Sequence, residues 1–362
     1  MNTSSRIDYL DSVRGIAAMM VVFYHFNGWK WEHHIGFHLS SIIFNGSDAV
    51  SFFFVLSGFV LSYKYFKNSQ SEIDIKEYVL KRFFRIYPAY IATVFLNYFY
   101  VNRHTLGLNT IKDIFYSNDQ QLWQELFLVK SNHNFYIPGW TLSVEMAVSL
   151  LLPFIIIIAR KNIHYIYSLI LVSIFISAAH ISMFTMHFCL GLLLAFYFEK
   201  IQSFQFQQHK LFPYRWLGLL IVLVLFSIRH IDRIHSIGHQ LKNILLYWGI
   251  DFFHISGIAS ALIILFILNN KTIQTFLTIK PLLFIGKISY SIYLMHWLVI
   301  GYIMEHWDKW NSYYSNKYIV FAVMLTVAVS TTLLLSTALY YFVEVPFIQL
   351  AKKIKISRPK MN

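Results

Sequence analysis

Long apolar stretches, broken only by short polar segments, run from one end of the chain to the other. Stretches near the ~20 residues that a helix needs to cross a bilayer occur at 13–29, 48–66, 83–101, 140–159, 164–180, 182–199, 213–230, 243–269, 283–303 and 318–343. The pattern predicts an all-α fold, a polytopic transmembrane helical bundle of about ten spans. The eighth stretch is overlong and contains Asp251 and His254, which predicts a broken helix or a span with a re-entrant piece. The fifth and sixth are nearly continuous, with a tight turn expected at Ile181. No linker, low-complexity tract or internal repeat is visible. Residues 1–362 are therefore expected to form a single integral-membrane domain, with its core at about 8–350 and no appended soluble domain.

Composition points the same way. The chain is 57% hydrophobic and 13% charged, with a mean hydropathy of +0.53, whereas soluble domains carry about 25% charged residues. A water-soluble enzyme is excluded. The net charge of +13 would suggest nucleic acid in a soluble protein, but the placement of the charges gives it another meaning. With both termini on the cytoplasmic side, the cytoplasmic segments hold 21 of the 30 Lys and Arg residues and the opposite side nine. That imbalance predicts an N-in, C-in orientation, with the basic residues facing anionic lipid; nucleic acid is not an expected partner. The single cysteine, Cys189, allows neither an intrachain disulfide nor a thiol metal site. The first apolar stretch carries Arg14 and His25 and lacks a small-residue cleavage site, so it reads as a retained span rather than a signal peptide.

Ionisable residues within spans are costly in hydrocarbon and are functional candidates for that reason. At 1.5 Å per residue, His25 stands ~16 Å above Arg14, Glu145 ~8 Å below the outer end of its helix and His296 ~20 Å above the cytoplasmic face. Asp48 opens the second span at its outer end. His25, Asp48, Glu145 and His296 thus define an acid–base layer in the outer half of the membrane. An imidazole oriented by a carboxylate is suited to taking a proton from a hydroxyl near neutral pH. At the cytoplasmic end, Arg14, Lys81, Arg82 and Arg85 gather. Arg82 and Arg85, three apart at a helix start, share a face and suit bidentate phosphate recognition, although anchoring by the positive-inside rule explains the same charges. A ligand with phosphates at one end and a reactive group on a long arm, such as coenzyme A, fits this division.

Each candidate also has a structural reading. His25 and His296 could be satisfied core histidines, Glu145 an interhelical hydrogen-bonding group, and Asp48 a helix cap. Gly58 and Ser57 are expected to permit close helix contact. His180 and His187 look interfacial. Glu344-Val345-Pro346 is expected to cap the last span, with Pro346 stopping it. His33, His34 and His38, with only Glu32 beside them, make a poor metal site, and no metal is expected.

Several of these residues stand in motifs. Asp8-Tyr9-Leu10-Asp11-Ser12-Val13-Arg14-Gly15, with His25 following Arg14 after ten residues, resembles the opening of the acyltransferase 3 family, the bacterial membrane O-acetyltransferases of surface polysaccharides. Asp48 with Ser51-Phe52-Phe53-Phe54-Val55-Leu56-Ser57-Gly58-Phe59 is similar to its second signature. Arg82-Phe83-Phe84-Arg85-Ile86-Tyr87-Pro88 is similar to the Arg-x-x-Arg element, and Trp140-Thr141-Leu142-Ser143-Val144-Glu145 to the Trp-(Ser/Thr)-Leu-x-x-Glu stretch. Ser289 to His296 and Glu344-Val345-Pro346 also fit, so the resemblance runs in order from residue 8 to about 350.

The resemblance implies a ten-span domain in the bacterial inner membrane, an acyl-CoA donor (usually acetyl-CoA) arriving from the cytoplasm, and a carbohydrate or glycolipid acceptor. The acceptor would belong to lipopolysaccharide, capsule, exopolysaccharide, peptidoglycan or a related glycolipid. It implies that His25 is the essential histidine and that Arg14, Arg82 and Arg85 serve donor binding or structure. Glu145 and His296 stand at family positions. Some members append a periplasmic esterase-like domain; this chain is expected to act without one or with a partner protein. A transporter or flippase of a lipid-linked sugar, with buried His and Glu relaying protons, is the rival class.

Overall fold

The computed structural model describes residues 7–30, 45–67, 72–103, 120–128, 136–175, 180–204, 206–231, 251–312 and 316–354. The described residues are mostly helical, and none of them lies in a strand. In chain order the helices are α1 (Asp8–Lys30), α2 (Gly46–Lys67), α3 (Ile75–Val101), α4 (Gln120–Leu126), α5 (Gly139–Lys161), α6 (His164–Phe175), α7 (His180–Phe196) and α8 (Phe198–Ser203). They continue with α9 (Arg215–Phe226), α10 (Ile228–Ile231), α11 (Phe252–Asn269), α12 (Lys271–Leu277), α13 (Lys280–Lys287), α14 (Ser289–Glu305), α15 (Trp307–Asn311), α16 (Lys317–Leu339) and α17 (Val345–Lys353).

Among these, four helical segments are long and apolar enough to cross a membrane: Gly46–Lys67, Gly139–Lys161, Phe252–Asn269 and Tyr318–Lys353. A fifth results if α13 and α14, which bend at Ile288, count as one broken span. The protein is thus an all-helical, multi-pass membrane protein. The helices α1 and α3, at 23 and 27 residues, have the length of a span but carry Arg14 and the Lys76–Arg85 charges within it.

The chain divides into two compact units, one formed by Met1–Glu72 and Ala147–Ser289, the other by Ile73–Met146 and Tyr290–Asn362. In the first unit, two glycines set the tightest packing. A Cβ added at Gly191 of α7 would meet Phe59 N at 2.6 Å, and one at Gly58 of α2 would lie 2.8 Å from the Phe188 backbone. Small residues let helix backbones touch where lipid offers no hydrophobic drive to association, as expected for Gly58. Phe54 packs beside this crossing, with ring centroids 4.9 Å from Phe184 and 5.5 Å from Phe188. A second close approach joins α1 to α13, where a Cβ on Gly15 would meet Gly286 N at 2.5 Å.

Hydrogen bonds near helix ends show which ends adjoin in this unit. At one end, Arg160 donates to the Tyr65 carbonyl and Gln202 to that of Leu268 at 2.7 Å. At the other, Asn45 donates to the Phe226 carbonyl at 3.2 Å.

The second unit is cored by Tyr90, Tyr136, Leu142, Leu294 and Leu339. Its buried tyrosines end on main-chain oxygens. Tyr136 Oη donates to Leu294 O at 2.6 Å, Tyr290 Oη to Ile86 O at 2.8 Å and Tyr90 Oη to Glu125 O at 2.8 Å. These three hydroxyls are tolerated in the interior because each is satisfied.

Several sequence expectations change. His187 is fully buried against Gly257 rather than interfacial. Ile181 lies inside α7, so it is not a turn. Asp251 and His254 stand at the start of α11, where the Asp251 N–H donates to His254 Nδ1 at 2.9 Å and the helix runs to Asn269; the part of the eighth stretch before Asp251 lies outside the described residues. Pro346 does not stop the last span. A π-helical turn at Tyr340–Glu344 leads directly into α17, and such a turn shifts the hydrogen-bonding register where proline offers no N–H.

Replacing Gly191 with Leu is expected to destabilise the detergent-solubilised protein by about 1–3 kcal/mol through overpacking, seen as a lower melting midpoint. Gly218→Ala, whose Cβ would meet nothing within 4 Å, should leave the midpoint within error.

Candidate functional site

The geometry starts with α1. The helix is continuous from Asp8 to Lys30, so the eleven steps from Arg14 to His25 amount to ~16 Å of rise and about three turns plus 20°. The two side chains therefore leave the same face of one rigid rod, at different depths. Asp8 and Asp11 occupy the first turn, where carboxylates complement the helix dipole. Asp11 Oδ1 also accepts from Arg14 Nη1 at 3.0 Å. The Gly15–Gly286 contact brings the ends of α1 and α13 together, so Arg14 and Lys287, each next in sequence to a contacting glycine, gather positive charge at this end of the first unit.

At the other end of α1, His25 is half-buried and packs edge-on to Tyr24, with ring centroids 5.3 Å apart. Tyr24 in turn lies against Gly46, where any Cβ would meet its side chain at 2.5 Å. Gly46 opens α2, two residues before Asp48. The packing of α1 on α2 thus carries His25 and Asp48 to the same end of the unit.

Asp48 is fully buried. Asn45 caps α2: its Oδ1 accepts the Asp48 N–H at 3.1 Å, while its Nδ2 donates to Asp48 Oδ2 at 2.5 Å. The cap is therefore Asn45, and Asp48 occupies the third helical position, where a side chain can reach back to the capping residue. Arg229 Nη1 approaches Asp48 Oδ1 at 3.9 Å, and its guanidinium stands 3.8 Å from the centroid of the Phe253 ring.

In the second unit, Arg82 of α3 and Glu145 of α5 form an ion pair, with 8% and 22% of the two side chains exposed. The sequence reading placed Arg82 in a cytoplasmic phosphate layer and Glu145 in a separate acid–base layer; they share one. The reason lies in the helix starts. The first residue of α3 is Ile75, well before the apolar stretch at 83, so Arg82 stands ~10 Å along its helix, and α5 starts beside the body of α14, where Tyr136 bonds to Leu294 and Thr141 to Tyr293. Arg85 is exposed. Three helical steps leave an angular offset of ~60°, and the boundary of the packed face falls between the two arginines. His296 is fully buried, with Nδ1 2.6 Å from Tyr293 O. Tyr293 Oη is 2.6 Å from Thr141 Oγ1. Glu344 accepts from Ser291 Oγ at 3.0 Å, so it bonds across to α14 instead of capping its own helix.

The structure thus groups Arg14, His25 and Asp48 in one unit and Arg82, Arg85, Glu145 and His296 in the other. Asn45 and Arg229 were not singled out in the sequence. A polar residue just before an apolar run marks the first, and an arginine on the charge-poor side of the protein marks the second. His33, His34, His38 and Glu32 lie outside the described residues. Among the described residues, no group of three or more His, Cys, Asp or Glu could hold a metal.

These features belong to a membrane-embedded acyltransferase domain: residues 7–341 match the model of the acyltransferase 3 family, described as an acyltransferase domain, and the chain is a member of that family. The curated relatives it resembles include the O-acetyltransferase OatA of Staphylococcus aureus strains NCTC 8325 / PS 47, COL and MRSA252, each 25% identical over 366 residues. The alignment covers 93% of this chain and 56% of each relative, so the chain spans a little over half the length of the proteins it matches. No solved structure matches it.

Removing one partner of a buried ion pair strands the other, at a cost of about 3–5 kcal/mol. Arg82→Ala is therefore expected to lower the melting midpoint in detergent sharply. The double substitution Arg82→Met with Glu145→Leu should recover much of the loss, measured as a double-mutant cycle.

Proposed function

We propose that the protein is a membrane O-acyltransferase that moves an acetyl or similar short acyl group from acyl-CoA to a hydroxyl of a cell-surface polysaccharide or glycolipid. The observation that carries this reading is the arrangement on α1, where Arg14 and His25 share a face with ~16 Å between them. Arg14, beside Lys287, would take the phosphates of the donor at the cytoplasmic mouth. The pantetheine arm would then rise along α1 and present its thioester near His25.

At that point the acceptor hydroxyl attacks the thioester carbonyl as His25 takes its proton, and the coenzyme A thiolate leaves and is protonated in turn. The relay alternative, in which His25 itself carries the acyl group before the sugar takes it, uses the same residues. Asp48, held rigidly by Asn45 and Arg229 at the same end as His25, is the carboxylate placed to tune the imidazole. Glu145, already committed to Arg82, and His296, on the Tyr293 carbonyl, are proposed to serve activity by holding the second unit's own helices in place. No metal takes part in this scheme. The match to an acyltransferase domain over most of the chain, and the names of the relatives, support the enzyme over a flippase.

The bundle is proposed to cross the bacterial inner membrane about ten times, N-in and C-in. The meeting of the start of α2 with the end of α9 and the distribution of Lys and Arg support that arrangement. The donor would come from the cytoplasm and the acceptor from the opposite face, with a periplasmic protein as a partner for delivery of the glycan.

His25→Ala is expected to reduce glycan O-acetylation at least ~100-fold, the usual worth of a general base, with unchanged membrane abundance. NMR of the purified surface glycan reads the acetyl signal, and full acetylation in the variant would remove both chemical routes. In proteoliposomes with radiolabelled acetyl-CoA, label on the glycan distinguishes the enzyme from a flippase, which would move glycan without labelling it. The topology is tested by adding cysteines at two exposed lysines, since Cys189 is buried and stays silent. In whole cells an impermeant maleimide should label Lys309→Cys and spare Lys210→Cys.

A further inference from the structure

The basic end of the first unit holds two adjoining cavities that the acyl-transfer scheme does not use. One, of about 640 Å³, lies between α8, α9 and α11 and is walled by Ile201, Phe204, Leu217, Ile221, Leu262 and Phe266. The other, of about 460 Å³, shares Phe204, Phe206, Arg215, Phe266 and Asn269 with the first. Its remaining wall is mostly polar, with Gln202, Gln208, Asn270, Lys271, Thr272 and Gln274 beside Phe212, Trp216 and Leu268. An apolar slot and a polar basin therefore open into each other around Arg215.

Charge completes the picture. The two linings contain Lys200, Arg215 and Lys271 and no Asp or Glu. None of the three forms an ion pair with a described carboxylate. Arg215 is held in place: its Nη1 donates to Phe212 O at 3.0 Å, and its guanidinium lies 3.9 Å from the Phe212 ring centroid. Lys200 Nζ sits 5.5 Å from the Tyr197 ring centroid. Beside the slot, α9 exposes Trp216, Leu217, Leu220 and Ile221, an apolar surface that in a bilayer faces hydrocarbon. A ligand reaching this site from the membrane meets an apolar channel first and fixed positive charge at its end.

We propose that the joined cavities bind an anionic membrane phospholipid, with an acyl chain in the slot and the headgroup phosphate among Arg215, Lys200 and Lys271. Guanidinium and ammonium groups without carboxylate partners match a phosphate, and the apolar slot matches a chain that a free phosphate or a soluble anion lacks. The site uses none of the residues assigned to acyl transfer, so its test is independent of His25.

Native mass spectrometry of the purified full chain, with phosphatidylglycerol or phosphatidylcholine added in equal amounts, reads the binding. The wild type should retain phosphatidylglycerol well above phosphatidylcholine, by about fivefold for each basic residue engaged. Gly218 lines the slot, and a Cβ there would meet nothing within 4 Å; Gly218→Phe should fill the slot and remove retained lipid with an unchanged lipid-free melting midpoint. Arg215→Gln with Lys271→Gln should keep lipid but lose the headgroup preference. Equal retention of the two lipids by the wild type, or full phosphatidylglycerol retention by Gly218→Phe, overturns the proposal. So does displacement of the lipid by inorganic phosphate alone, or a dimer that forms in place of lipid uptake and is abolished by Gly218→Phe.

Discussion

A charge placed in a membrane must find its opposite within the protein, because hydrocarbon offers none. Each unit of this protein meets that constraint with a pair drawn from separate helices: Asp48 with Arg229 in the first, Arg82 with Glu145 in the second. These pairs do more than neutralise. A helix that slid by one turn would move its partner ~5.4 Å away, so each pair fixes the register of the helices that contribute it. The glycine contacts between α2 and α7 and between α1 and α13 set how closely helices approach; the ion pairs set where along their length they do so.

What could be read from the sequence was whatever depends on one helix at a time. The phase of Arg14 and His25 follows from their spacing alone, and Gly58 announced a close contact because a glycine in an apolar run has few other uses. The helical character of the chain followed from apolar length. Relations between helices were harder. Arg82 and Glu145 were placed in different layers because depth was counted from the edges of apolar stretches, whereas helices begin where caps and polar residues allow. Asp74 caps α3 by accepting the Glu77 N–H at 2.9 Å, nine residues before the apolar stretch opens at 83. Likewise, Asp251 and His254 lie inside a long apolar run in the sequence, and the structure puts them at the start of α11.

The family relation and the geometry inform different parts of the picture. Membership of the acyltransferase family speaks to the class of chemistry, while the structure shows how one helix can connect a cation-rich end to a histidine. Because the matched relatives are nearly twice as long as the aligned region, that part of their length has no counterpart in the comparison.

The π-helical turn at Tyr340–Glu344 has a consequence for how this protein is aligned with others. A π turn amounts to one extra residue accommodated within a helix, and one residue corresponds to ~100° of rotation. Positions after Glu344 are therefore out of step with those before Leu339, and a single helical wheel drawn from Lys317 to Lys353 assigns the later ones to the wrong side. Matched to a relative whose final helix is uniform, this chain needs a one-residue gap at the turn. Without it, Pro346 and the terminal lysines would be compared with residues facing elsewhere.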